Sequence, residues 1–120
     1  MVKNIFSIED CVGKDGEIFE EIIRTSDILI ERIISTGQST PVGEWYDQPK
    51  DEWVILLSGT AIIRFETGEQ VTLVAGDYLL IPSHCRHRVE ETSRVPPCLW
   101  IAFHGIFTTP YNQDIKTDNY

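Results

Sequence analysis

From position 28 onward the chain alternates short apolar runs with turn residues. "ILIERIIST" (28–36) is rich in β-branched side chains, which pack well on a pleated surface, and predicts a strand. A loop, "TGQSTPVGE" (36–44), follows it. "EWVILL" predicts a second strand that ends at the turn "SGT". "AIIRFE" (61–66) predicts a third, closed by the hairpin turn Thr67-Gly68-Glu69. "QVTLV" alternates cleanly, with Val71, Leu73 and Ala75 on one side and Thr72 and Val74 on the other. The turn "AGD" leads into "YLLIP", and "HRVEET" predicts a further short strand. "SRVPP" interrupts the pattern, because proline donates no ladder hydrogen bond. "CLWIAF" (98–103) is the last strand expected.

Two segments resist this reading. In "EIFEEIIRTSD" (17–27) the apolar residues at 18, 19, 22 and 23 fit one face of a helix, yet the segment is short enough for a strand. Residues 105–120 are polar and predict a tail or a surface arm. Seven or so short strands, close turns and no long helix predict an all-β sandwich or barrel. Closure into a barrel or a double-sheet jelly roll would hide the strand edges. A chain of 120 residues is expected to form one domain, 1–120, with its core at about 28–104.

Composition narrows the partners. A net charge of −9 repels polyanions, so nucleic acid is not an expected partner. The one dense basic spot, "HCRHR" (84–88), is too short for a phosphate-backbone footprint. No apolar run approaches the ~20 residues of a membrane span, and the N-terminus lacks the basic-then-apolar order of a signal peptide. Three cysteines, Cys11, Cys85 and Cys98, form an odd set with no CxxC pair. Reduced thiols and a cytoplasmic location are the expectation.

The candidate chemistry lies in two stretches, "EWYDQPKDEWVILLSG" (44–59) and "AGDYLLIPSHCRHRVEE" (75–91). Tyr46 and Gln48 are two apart, so on extended chain they share a face, with Asp47 opposite. His87 and Val89 likewise share a face, with Arg86 and Arg88 on the other. On the last strand, one parity turns Trp100, Ala102 and His104 inward, and the other turns in Leu99, Ile101 and Phe103. Glu52 is a candidate ligand or general base, against a strand-end carboxylate in water. His87 is a candidate acid–base group or ligand, against a hydrogen-bonded core histidine. His84 could face a substrate, cap the turn after Pro82 or contact a partner chain. Tyr46 could hydrogen-bond a ligand or plug the barrel mouth together with Trp45. Trp53 and Trp100 are core or interface candidates, and Trp100 could also contact a substrate. A Cys85–His87 nucleophile lacks an orienting third group, and strand neighbours point to opposite faces.

Gly76, Pro82 and His87 together resemble the second motif of the cupins, and Glu52 with Gly59 resembles their first. In that family two histidines, one residue apart, precede the glutamate; here those positions hold Tyr46 and Gln48. Gly37 lies further before Tyr46 than the family spacing, His84 replaces a frequent glycine, and Glu91 a frequent asparagine. The resemblance spans about 28–104. It implies a double-stranded β-helix barrel of jelly-roll form, with a site in its mouth and often a divalent metal held by histidines and glutamate. Here such a metal would fall to Gln48, Glu52, His87 and His104. This mixed oxygen and nitrogen set suits Zn, Fe, Mn or Ni, and metal-free chemistry is the other expectation.

Three functions follow as expectations. The first is an enzyme on a small polar molecule, with Glu52 and His87 catalytic and Tyr46, Gln48, His84 and Trp100 binding substrate. The second is a non-catalytic ligand-binding module. The third is a structural homodimer with a vestigial pocket; homodimers are what the resemblance implies for a cupin of this size.

Overall fold

The computed structural model describes residues 1–11 and 16–107. Within them lie one short 3-10 turn, Glu9–Cys11, and eight strands. The strands are β1 (Ile18–Arg24), β2 (Leu29–Ser35), β3 (Asp51–Ser58), β4 (Thr60–Phe65), β5 (Gln70–Val74), β6 (Tyr78–Ile81), β7 (His87–Thr92) and β8 (Cys98–Gly105). They form a five-stranded sheet in the order β1-β2-β8-β3-β6 and a three-stranded sheet in the order β5-β4-β7. All pairings are antiparallel. This is the jelly-roll barrel of an all-β chain.

The segment left open at 17–27 is a strand for most of its length. Ile18, Ile22 and Ile23 are β-branched and favour extended backbone. Thr25 then reverses the chain. Its hydroxyl accepts hydrogen bonds from the backbone N–H groups of Asp27 and Ile28, and its own N–H donates to the Ile28 carbonyl. The reversal lays β1 on β2, with Ile18 opposite Ile34 and Arg24 opposite Leu29.

The inner faces of the two sheets supply the core. Val54 and Leu56 from β3, Trp100 and Ala102 from β8, and Ile81 from β6 meet Ala61, Ile63 and Phe65 from β4 and Leu73 from β5. β8 buries residues of both parities at its start, because Leu99 pairs with buried Ile34 while Trp100 faces inward. On the opposite face Trp53 packs between Tyr78 and Phe103, with ring centroids 5.5 Å apart in each case.

The loop before β3 is stitched to β7 rather than left free. Thr40 donates its N–H to the Val89 carbonyl and accepts from the Val89 N–H through its hydroxyl. Arg88, on the outward face of β7, donates to the carbonyls of Thr40, Pro41 and Glu44. Tyr46 and His87 then form an isolated antiparallel bridge. This bridge sets the "EWYDQPKDE" stretch across the mouth of the barrel. The expected polar tail begins after β8; its residues 108–120 lie outside the described part of the chain. Among the described residues no helix is long and apolar enough to cross a membrane.

Candidate functional site

Strand parity gathers one set of polar side chains on the inner face. Glu31, Ile33 and Ser35 alternate inward along β2, Glu52 and Val54 along β3, and Trp100, Ala102 and His104 along β8. Glu52 lies directly opposite His104 in the β3–β8 ladder. Across the barrel, His87 and Val89 project from β7 and Ile63 from β4. Of these, all but Ser35 and Ala102 line a single cavity, together with Tyr46, Gln48, Ile81, Phe19 and Glu17. The cavity offers about 70 Å³ to the centres of water molecules, room for about five waters. Tyr46 and Phe19 are partly exposed and mark its mouth.

His87 is the most constrained polar group in the cavity. The residue is 5% exposed, and its ring stacks on Tyr46 with centroids 5.5 Å apart. Its Nδ1 lies 2.9 Å from the Cys85 carbonyl oxygen. A carbonyl only accepts, so Nδ1 carries a proton and donates it there. Nε2 is thereby aimed into the cavity. It lies 3.6 Å from Glu52 Oε1, beyond a hydrogen bond. Glu52 is 9% exposed and makes no hydrogen bond of its own. A buried carboxylate and a buried imidazole nitrogen therefore face each other across a gap.

The other polar groups are more fully satisfied. His104 Nε2 lies 2.9 Å from Glu31 Oε1. Ser35 receives the Trp100 indole N–H at 3.2 Å and donates to Glu17 Oε2 at 2.5 Å. The Glu31 carboxylate raises the His104 pKa above its ordinary 6.5; burial opposes the shift, the Glu52 charge adds to it, and Lys50 opposes it. Burial raises the Tyr46 phenol pKa, and Glu17, Glu52, Glu31 and Glu44 push it the same way. Tyr46 is thus a neutral donor at physiological pH.

The His104–Glu31 pair makes folding pH-dependent. An unfolded histidine titrates near 6.5. The stabilisation from the raised folded value is complete below about pH 6.5 and fades as pH rises through that higher value. Proton NMR titration of the His104 ring should show a midpoint above 6.5, which falls in Glu31→Gln. An equal midpoint in the two proteins would refute the assigned cause.

Tyr46, Gln48, Glu52, His87, Trp100 and His104 share the one cavity. His84 lies outside it. Its backbone takes a positive φ of 59°, and its exposed ring bonds Asp47 Oδ1 at 2.7 Å. Asp47 accordingly faces out. Cys85 contributes its carbonyl to His87, while its side chain packs against the hydrophobic core. Glu17 and Glu31 line the cavity, with Ser35 holding Glu17 and Trp100 from behind; none of the three was singled out from sequence. The one available signal was a charged residue, Glu31, inside the apolar run of β2.

The family described as a cupin domain matches residues 33–104. The chain belongs to the cupin family. A cupin from Ralstonia eutropha JMP134, provisionally named a mannose-6-phosphate isomerase, is 42% identical, with 89% of this chain and 99% of that one covered at a TM-score of 0.83. A cupin superfamily protein from Desulfitobacterium hafniense DCB-2 is 18% identical over 78% of this chain and 81% of that one, at a TM-score of 0.65. FeII HppE is 13% identical over 73% of this chain and 49% of that one, at a TM-score of 0.62. These last two share the fold. No curated protein matches the chain.

Cupins often bind a divalent metal, but the donors present here do not fit one. The expected set was Gln48, Glu52, His87 and His104. Gln48 is a neutral, weak donor, and His104 Nε2 is turned to Glu31. Only Glu52 and His87 remain with free donor atoms facing each other. Among the described residues no three His, Cys, Asp or Glu side chains converge as a metal ion would require.

Proposed function

We propose that this cupin binds a small polar molecule in the barrel mouth, with Glu52 and His87 as a metal-free proton-handling pair. The observation that carries the proposal is the 3.6 Å gap between His87 Nε2 and Glu52 Oε1. Both groups are buried, and neither closes the gap with a hydrogen bond. Both atoms line the cavity, so one ligand donor beside them has two hydrogen-bond partners within reach. Tyr46 adds a neutral hydroxyl at the mouth, Gln48 an amide, and Trp100 an apolar wall. A substrate held there yields a proton to Glu52 and regains that same proton from the Glu52 carboxyl at a neighbouring atom, with Nε2 accepting a hydrogen bond beside it.

The provisional name of the Ralstonia relative suggests isomerisation, which is proton-transfer chemistry of this kind. Its phosphate does not carry over, because Glu17, Glu31 and Glu52 line the cavity with no lysine or arginine among them.

An NMR screen of small polar compounds tests the proposal. Compounds that bind should shift the ring signals of His87, Tyr46 and Trp100 together, and His87→Ala should lose those hits. Hits confined to the outer face around Trp53, or surviving unchanged in His87→Ala, would place the binding site elsewhere.

A further inference from the structure

The charge of the cavity extends the functional reading to a ligand class. Three carboxyl groups line a space that holds about five waters. Facing them are one histidine already committed to Glu31 and one whose free nitrogen is a hydrogen-bond acceptor. Lys50 Nζ donates to the Asp27 carbonyl, and no lysine or arginine is part of the lining. Burial opposes ionisation of the Tyr46 phenol, and the carboxylates of Glu17, Glu52 and Glu31 oppose it further. His104 offsets the charge of Glu31, with which it pairs, and Glu17 and Glu52 leave the lining acidic on balance, so an anion meets net repulsion.

The gap at the centre adds a second and independent observation. With Nδ1 donating to the Cys85 carbonyl, Nε2 is the nitrogen of His87 that faces the cavity and is the acceptor of the uncharged ring. Glu52 Oε1, across 3.6 Å, is also an acceptor. Two acceptors side by side on the cavity wall suit a group with several donors. A primary ammonium has three N–H donors and a positive charge, and both features match. Tyr46, Trp100 and Phe19 also line the cavity, and aromatic rings of this kind attract cations.

We propose that the ligand of this pocket is a small organic cation with a primary ammonium group, which donates to Glu52 Oε1 and His87 Nε2 while its carbon skeleton lies against the aromatic walls. This inference rests on the proposal that the cavity is a ligand site at all. The acidic lining supplies the selectivity: a hydroxyl could satisfy the gap, but it would gain nothing from the three carboxylates.

A charge series decides it. Propylammonium, 1-propanol and propanoate have nearly the same size and shape, and their binding is followed by NMR shifts of the His87 and Trp100 ring protons at neutral pH and low salt. Propylammonium should bind at least about tenfold more tightly than 1-propanol, and propanoate should cause no shift. Glu52→Gln, which keeps the side-chain shape, should erase that preference, and Glu31→Gln should weaken it. Equal or tighter binding of 1-propanol or propanoate would overturn the inference. A preference that survives in both variants would overturn it as well. Glycerol serves as a neutral reference: if it shifts the pocket signals while propylammonium does not, the cation is wrong and the ligand site stands. If none of the four compounds shifts them, the ligand site falls together with the cation.

Discussion

Gly59→Ala is expected to destabilise the protein by about 2–5 kcal/mol, a large part of the 5–15 kcal/mol typical of a domain. Two effects add. Gly59 sits at a φ of +86° between β3 and β4, where an L side chain costs about 1–2 kcal/mol. An added Cβ would also lie 2.7 Å from Ser93 Oγ, 2.9 Å from Cys98 Sγ and 2.9 Å from the Pro97 carbonyl oxygen. Those atoms belong to the start of β8 and the segment before it. Overpacking of this kind costs about 1–3 kcal/mol. Gly68 is the control: its φ is +101°, but nothing lies within 4 Å of an added Cβ. Gly68→Ala should therefore lose only the conformational part, about 1–2 kcal/mol. Urea denaturation of both variants measures the difference, and equal losses would show that contact with the β8 entry is unimportant.

Glu52→Gln is expected to separate function from stability. The amide keeps the shape of the side chain, and no hydrogen bond is lost because the carboxylate makes none. Stability should change by no more than about 1 kcal/mol. Ligand binding should fall far more. A hydrogen bond to a charged group contributes about 1.5–3 kcal/mol, so affinity for a compound found in the pocket should drop roughly 10- to 150-fold. A purely structural Glu52–His87 pair gives the opposite pattern. Removing one partner of a buried ion pair costs about 3–5 kcal/mol and would leave binding unaffected once the variant is folded. Denaturation curves and binding isotherms on the same preparation tell the two apart.

The sequence carried most of the barrel, for a simple reason. Strands β2 to β6 and β8 each contain an apolar run bounded by a turn residue, and β7 is short and mostly polar, between the Pro82 turn and "SRVPP". β1 stayed open because its apolar positions at 18, 19, 22 and 23 satisfy a helical face and an edge strand alike. What decides it is a tertiary fact, the pairing with β2. The inward parity of His87 and Val89 was legible once the family glutamate and histidine were aligned. The parity of His104 was not, since both faces of β8 are apolar and both are buried near Leu99 and Trp100.

The site was harder to read than the fold. Glu17 opens the segment that could not be assigned, and Glu31 sits within a strand whose inner face sequence alone does not identify. Together they change the chemistry of the pocket from a metal site in outline to an acidic cavity. His84 was drawn toward the site by its neighbours, yet its left-handed backbone swings the ring out to Asp47. Gln48 and His104 line the cavity, but ring and amide do not converge on the Glu52–His87 gap as a ligand shell.

The central claim is that Glu52 and His87 handle protons and ligand donors rather than a metal. Elemental analysis of untagged protein, supplemented with zinc, iron, manganese and nickel and then desalted, tests it most directly. The account predicts well under about one metal ion per chain, with no difference between the native protein and its Glu52→Ala and His87→Ala variants. About one tightly held ion per native chain, lost in both variants, would contradict it.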